Sequence, residues 1–225
     1  MRAPLLLLFA ALPALAQSEA ISMFSQYDVK PGMEREFELG YARHVQWHAE
    51  ARDPWAWYVW EAATGPRRGH YVGGMFDHPR AEFESRPKPA EDGADHEHNI
   101  DRYLERALPR YLELRPDLGG APLLLESSPY LVLYEVSVKP SASPRSKPRT
   151  NPHVWYEVVN GGNHRTFLLF VPATRMSDAV SIRVADYLAA DDGVERITSE
   201  LFRFRADLST CVLAATRCVG TVPER

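Results

Sequence analysis

The chain repeats itself, and that repetition limits its architecture more than any local pattern. Asp53-Pro54-Trp55-Ala56-Trp57-Tyr58-Val59-Trp60 reads against Asn151-Pro152-His153-Val154-Trp155-Tyr156-Glu157-Val158. Upstream, Val29-Lys30-Pro31-Gly32 reads against Val138-Lys139-Pro140-Ser141. Downstream, Leu112-Glu113-Leu114-Arg115-Pro116-Asp117-Leu118 reads against Phe202-Arg203-Phe204-Arg205-Ala206-Asp207-Leu208. Three blocks recurring in one order mark a diverged tandem duplication, and long-period self-similarity sets the architecture before local structure is read.

In the first copy, Ile21 to Val29 alternates as a strand does, and Lys30-Pro31-Gly32 turns it. Met33 to Arg52 reads as a helix with Phe37, Tyr41, His44, Val45 and His48 on one stripe. Trp55 to Ala62 reads as a strand with Trp55, Trp57 and Val59 on one face and Tyr58 and Trp60 on the other, and His70 to Phe76 returns from it. A polar stretch, Asp77 to Asp95, then precedes a helix expected near Ile100 to Leu108 and a strand from Tyr111 to Arg115. The order βαββαβ is that of the ferredoxin-like unit.

The second copy gives strands at Tyr130–Val138, Val154–Asn160, Arg165–Val171 and Leu201–Arg205, with a helix expected over Met176 to Leu188. Its first helix is missing. Prolines at 140, 144, 148 and 152 fill that segment, each costing a helix interior ~3 kcal/mol. The repeat offset falls from 109 at Lys30/Lys139 to 98 at Trp57/Trp155, so residues are lost where the helix would be. Large apolar residues on both strand faces require both faces to be covered. The expected fold is therefore α+β, two tandem ferredoxin-like halves closing one α/β barrel, with residues 20–120 and 128–210 as the halves. The sheet face beneath the missing helix is expected to be filled by the tail at 211–225, a partner or a second copy, the tail first.

The chain opens with Met1-Arg2, an apolar run from Leu5 to Leu12 and Ala14-Leu15-Ala16, the pattern of a signal peptide cut after Ala16. The expectation is a periplasmic or secreted bacterial protein with no membrane span. In such a compartment the two cysteines, Cys211 and Cys218, are expected to pair. A formal charge of −4 gives no basic face for nucleic acid, while 45% hydrophobic residues suit a filled core.

The Val-Lys-Pro-Gly turn, the helix carrying Phe37, Tyr41, His44 and His48, Asp-Pro-x-x-Trp-Tyr, and Arg-Pro-Asp-Leu resemble the dimeric α/β-barrel superfamily, in its antibiotic-biosynthesis-monooxygenase-like and NIPSNAP-like branches. The resemblance covers about residues 21–118 well and 130–208 weakly, and implies a barrel that one chain makes alone. In the resembling monooxygenases a sheet Trp, a first-strand Asn and a His help bind flat aromatic substrates or haem. The first strand here carries Ser25 and Gln26 and no Asn, so that set is incomplete.

His44 and His48, four apart, share a helical face and lie beside the aromatic strand. Three readings stay open for the pair: local hydrogen bonding at the helix–sheet contact, a ligand pocket, or metal ligation. The H-E-x-x-H zinc-protease pattern fails because Val45 holds the Glu position. His44, His48, Trp57 and Tyr58 are the expected ligand-binding residues; no metal and no cofactor is assigned. The run Glu91, Asp92, Asp95, His96, Glu97, His98 could capture a divalent metal in principle, but beside Pro87 and Pro89 it reads as a solvated loop. The leading functional expectation is a small-molecule-binding protein, monomer or weak homo-oligomer, with monooxygenase-like activity on an apolar or aromatic compound. The alternative is a non-catalytic structural or interaction protein of the bacterial envelope.

Overall fold

The computed structural model describes residues 20–120, 128–162 and 165–210, with the backbone alone at 212–213 and 216–217. Eight strands form a closed, wholly antiparallel barrel: β1 (Ala20–Val29), β2 (Tyr58–Ala62), β3 (Tyr71–Pro79), β4 (Leu104–Leu114), β5 (Tyr130–Val138), β6 (Val154–Asn160), β7 (Thr166–Ala173) and β8 (Val194–Phe204). Around the barrel the order is β1-β3-β2-β8-β5-β7-β6-β4. The first four strands thus lie as β4-β1-β3-β2 and the last four as β8-β5-β7-β6. The seams are β2–β8, with Trp60 opposite Phe204, and β4–β6, with Leu112 opposite Val158.

Strand alternation divides the core into an inside and two outsides. Phe24, Trp60, Leu112, Leu133, Tyr156 and Phe170 point into the barrel and fill it with close-packed rings; Phe24 and Phe170 meet edge to face at 5.4 Å. Outside the first half, α1 (Glu34–Glu50) lays Phe37, Tyr41 and Val45 on Tyr27, Val59 and Tyr71. Two further helices follow β3, α2 (Arg80–Glu84) and α3 (Pro89–Asn99). Gly40 of α1 is buried against the Asn99 carbonyl at the end of α3, which fixes the separation of the two helices.

Three expectations need correction. The helix expected at Ile100–Leu108 lies earlier, as α3, and Leu104 onward is strand paired with β1 from Val29 to Ser22. The apolar spacing of Ile100, Leu104 and Leu108 mimics a helix stripe, but ladder pairing along β1 outweighs it. The helix expected at Met176–Leu188 shrinks to α4 (Met176–Ala179) and a 3₁₀ turn at Val184–Asp186. There the proline-rich segment takes the backbone: Lys147 N–H donates to the Tyr187 carbonyl and Ala189 N–H to that of Arg145, both at 2.8 Å. The face expected to be filled by the tail, a partner or a second copy is covered instead by segment 176–188, while the side chains of 211–225 lie outside the described residues. Val132, Trp155, Phe167 and Leu169 lie buried beneath Ala179, Ile182, Tyr187 and Leu188. Segment 176–188 therefore does what a helix would have done. Cys211, Cys218 and the leader at 1–16 lie outside the described residues. Among the described residues, no helix is long and apolar enough to cross a membrane.

Candidate functional site

The last two turns of α1, the N-terminal part of α3 and the loop before β2 meet over the outer face of the first sheet. They enclose a cavity of about 270 Å³ whose walls include Tyr27, Tyr41, His44, His48, Trp57 and Arg86. Three of the expected site residues, His44, His48 and Trp57, therefore come together, with the Trp57 ring stacked on His48 at 4.9 Å. Tyr58 does not join them: it faces the barrel interior with Trp60 and Phe76. This is the consequence of the two-residue period of a strand.

The two histidines are buried, and each Nδ1 meets a carboxylate at 2.8 Å: Asp95 Oδ1 for His44 and Asp53 Oδ2 for His48. Carboxylate acceptors assign the proton to Nδ1 in both rings, so both Nε2 lone pairs turn inward. The Nε2 atoms stand 3.1 Å apart. Asp92 Oδ1 lies 3.6 Å from the first and 3.5 Å from the second, buried and with no hydrogen-bond donor among the described residues. His44, His48 and Asp92 are the residues here that could hold a metal ion.

Arg86 braces the acidic side. Its guanidinium contacts Asp92 Oδ2 at 2.9 Å and Asp53 Oδ2 at 3.2 Å, and it lies over the Trp55 and Trp57 rings at 4.7 and 5.2 Å. Burial, then the neighbouring His48, push His44 down to about 4, so its imidazole is neutral at pH 7. Burial alone would raise Asp53, but hydrogen bonds from His48 and the Trp55 N–H, with the charge of Arg86, hold it down to about 2. Burial raises Tyr27 and lifts Tyr41 well above the usual tyrosine range, so both hydroxyls stay protonated.

The run read as a solvated loop is helix α3, and it supplies half of the site. Asp92, Asp95, His96 and Asn99 recur at helical spacing and turn toward α1. His96 is half-buried with its ring centroid 5.1 Å from His44, while His98 is exposed. Asp53 and Arg86 were not singled out from sequence as site residues, and Asp92 and Asp95 were noted only within the run read as a loop. The i, i+3, i+4, i+7 spacing of polar residues on α3 is the signal that was there to find.

No protein-family model matches the chain, and no curated protein matches it. Among solved structures, a candidate monooxygenase from Lactobacillus acidophilus NCFM is 9% identical, aligning over 82% of this chain and 93% of that one with a TM-score of 0.51. A mutant chlorite dismutase from Candidatus Nitrospira defluvii, in complex with cyanide, is 10% identical over 85% and 92% of the two chains, with a TM-score of 0.55. At these identities the likeness is one of fold alone: those chains share this chain's α/β-barrel architecture.

Proposed function

We propose that this chain is an exported small-molecule-binding barrel that takes a small apolar or aromatic compound beneath α1 and acts on it as a monooxygenase does. The observation that carries this reading is that His44, His48 and Trp57 share one cavity, where a structural module would have packed that space shut. A volume of 270 Å³ sits just under the ~300–1,000 Å³ range of drug-sized ligand sites, so the occupant is about the size of a single ring. Aromatic walls with a few convergent polar groups suit such a compound. The oxygenase part rests on fold likeness to the Lactobacillus protein.

Tandem duplication and export belong to the same reading. The matching strand order of the two halves and the outward placement of both Trp57 and Trp155 support the duplication. Export rests on the leader pattern, and N-terminal sequencing of secreted protein should begin at Gln17. The binding function is tested by a thermal-shift screen of small aromatic compounds on the mature protein. A ligand specific to the native state raises the midpoint. Hits are expected to vanish in Trp57→Ala; hits that persist there, or none among ring-sized compounds, refute the site.

A further inference from the structure

We propose that His44, His48 and Asp92 form a binding site for one divalent first-row transition-metal ion. The geometry is specific. A point equidistant from the two Nε2 atoms and Asp92 Oδ1 lies about 2.0 Å from each, the length of a bond from zinc or iron to a histidine nitrogen or a carboxylate oxygen. Two histidines and one carboxylate then lie almost in one plane with the ion and leave the positions above and below that plane open to further ligands. Nitrogen donors select transition metals over calcium and magnesium, which prefer oxygen.

Three further observations point the same way. Both ring Nδ1 atoms are occupied by carboxylates, the outer-shell arrangement that fixes tautomer and orients a metal-ligating histidine. With both protons so placed, two lone pairs face each other at 3.1 Å beside an unpartnered carboxylate oxygen, which is repulsive unless a cation lies between them. The charge balance also asks for one. Asp53, Asp92 and Asp95 contact the histidines, and among the described residues Arg86 is the one Lys or Arg paired with them, leaving two negative charges for a divalent ion to neutralise. The competing occupant of the gap is a proton on His48, shared with His44.

The inference goes beyond the binding function above, because it stands on donor geometry and holds with no organic ligand at all. The test therefore uses the metal alone. Untagged mature protein, stripped with a chelator, is titrated by calorimetry with Zn²⁺, and with Co²⁺ while its visible absorption is followed. One ion per chain is expected, bound tighter than about 10 µM, with cobalt bands of a nitrogen-ligated site. Asp92→Asn should weaken binding by at least about 100-fold, and Asp95→Asn, which only frees the His44 ring, by about 10–100-fold. His98→Ala should change nothing, since that side chain is exposed. Wild-type binding weaker than about 100 µM, or equal binding by Asp92→Asn, overturns the site and leaves the proton as occupant. If Asp92→Asn does not fold, ring resonances of the wild type decide: His44 and His48 must shift with Zn²⁺ and His98 must not. An aromatic ligand bound by protein that takes no metal would sink this inference and spare the previous one. Metal binding without any organic hit would do the reverse.

Discussion

Gly40→Ala opposes local propensity to tertiary packing, and the structure says which wins. In an isolated helix the change is favourable by about 1 kcal/mol, because glycine loses more backbone entropy than alanine. At this position a Cβ would stand inside the van der Waals envelope of the Asn99 carbonyl oxygen, 3.0 Å from its carbonyl carbon and 3.1 Å from Tyr103 Cε2. The obstacle is backbone, which no rotamer change clears, so the end of α3 must retreat by about 1 Å or more to restore ordinary contact distances. Ile100, fully buried one residue on, resists that movement. Overpacking against backbone sits at the upper end of the usual range, about 2–3 kcal/mol, which exceeds the helix gain and leaves a net loss of about 1–2 kcal/mol. For a domain of this size that is a fall of about 2–8 °C in Tm. The displacement also carries Asp92 and Asp95 away from the histidines, so Zn²⁺ affinity should fall with stability. Differential scanning fluorimetry with and without Zn²⁺ reads both effects. A Gly40→Ala protein as stable as wild type, with unchanged metal affinity, would refute the claim that this contact sets the α1–α3 separation.

Arg67→Met should cost about 3 kcal/mol, because it strips the guanidinium partner from the buried Glu200 carboxylate; Arg67→Met with Glu200→Leu should recover most of it, as denaturant titration would show. Burial raises the Asp77 carboxyl despite hydrogen bonds from Tyr156 and Ser22, so its contribution is present at acid pH and lost as pH rises through the folded value. Asp77→Asn, uncharged and tolerant of the φ of +59° found there, should therefore be more stable than wild type at pH 7 and no better near pH 4. Glu38 has the opposite sign. Burial would raise it, but hydrogen bonds from Arg205 and Tyr71 outweigh that and lower it, so its contribution holds at neutral pH and is lost as pH falls through the folded value; Arg205→Gln should flatten the acid limb of a stability–pH profile.

Most strands and α1 were legible because each buries one face, which writes a period of two or 3.6 into the apolar residues, whereas the first parts of β4 and β8 were missed. β5 and β6 begin and end where their alternation does, and α1 keeps Phe37, Tyr41, His44, Val45 and His48 on its buried side. Helix α3 was illegible for a physical reason. Its inward face is Asp92, Asp95 and His96, polar because it meets the polar groups of α1, so hydrophobic periodicity had nothing to report. Segment 176–188 misled in the opposite sense: Ala179, Tyr187 and Leu188 are buried as a helix would bury them, but Met176 and Val180 are exposed and backbone hydrogen bonds to the proline-rich segment hold it irregular.

The absence of a helix where prolines recur and the sharing of one helical face by His44 and His48 follow from the sequence alone, since covalent spacing and backbone sterics determine them. What surrounds the pair was decided only by tertiary structure. Asp53 reaches His48 from five residues away around the end of α1, whereas Asp95 reaches His44 across a separation of 51 and Asp92 reaches both from the same helix. Local spacing cannot encode such a meeting. It exists because the glycine at position 40 lets α3 settle against α1 over the first sheet, and that contact turns two ordinary histidines into a charged, convergent site.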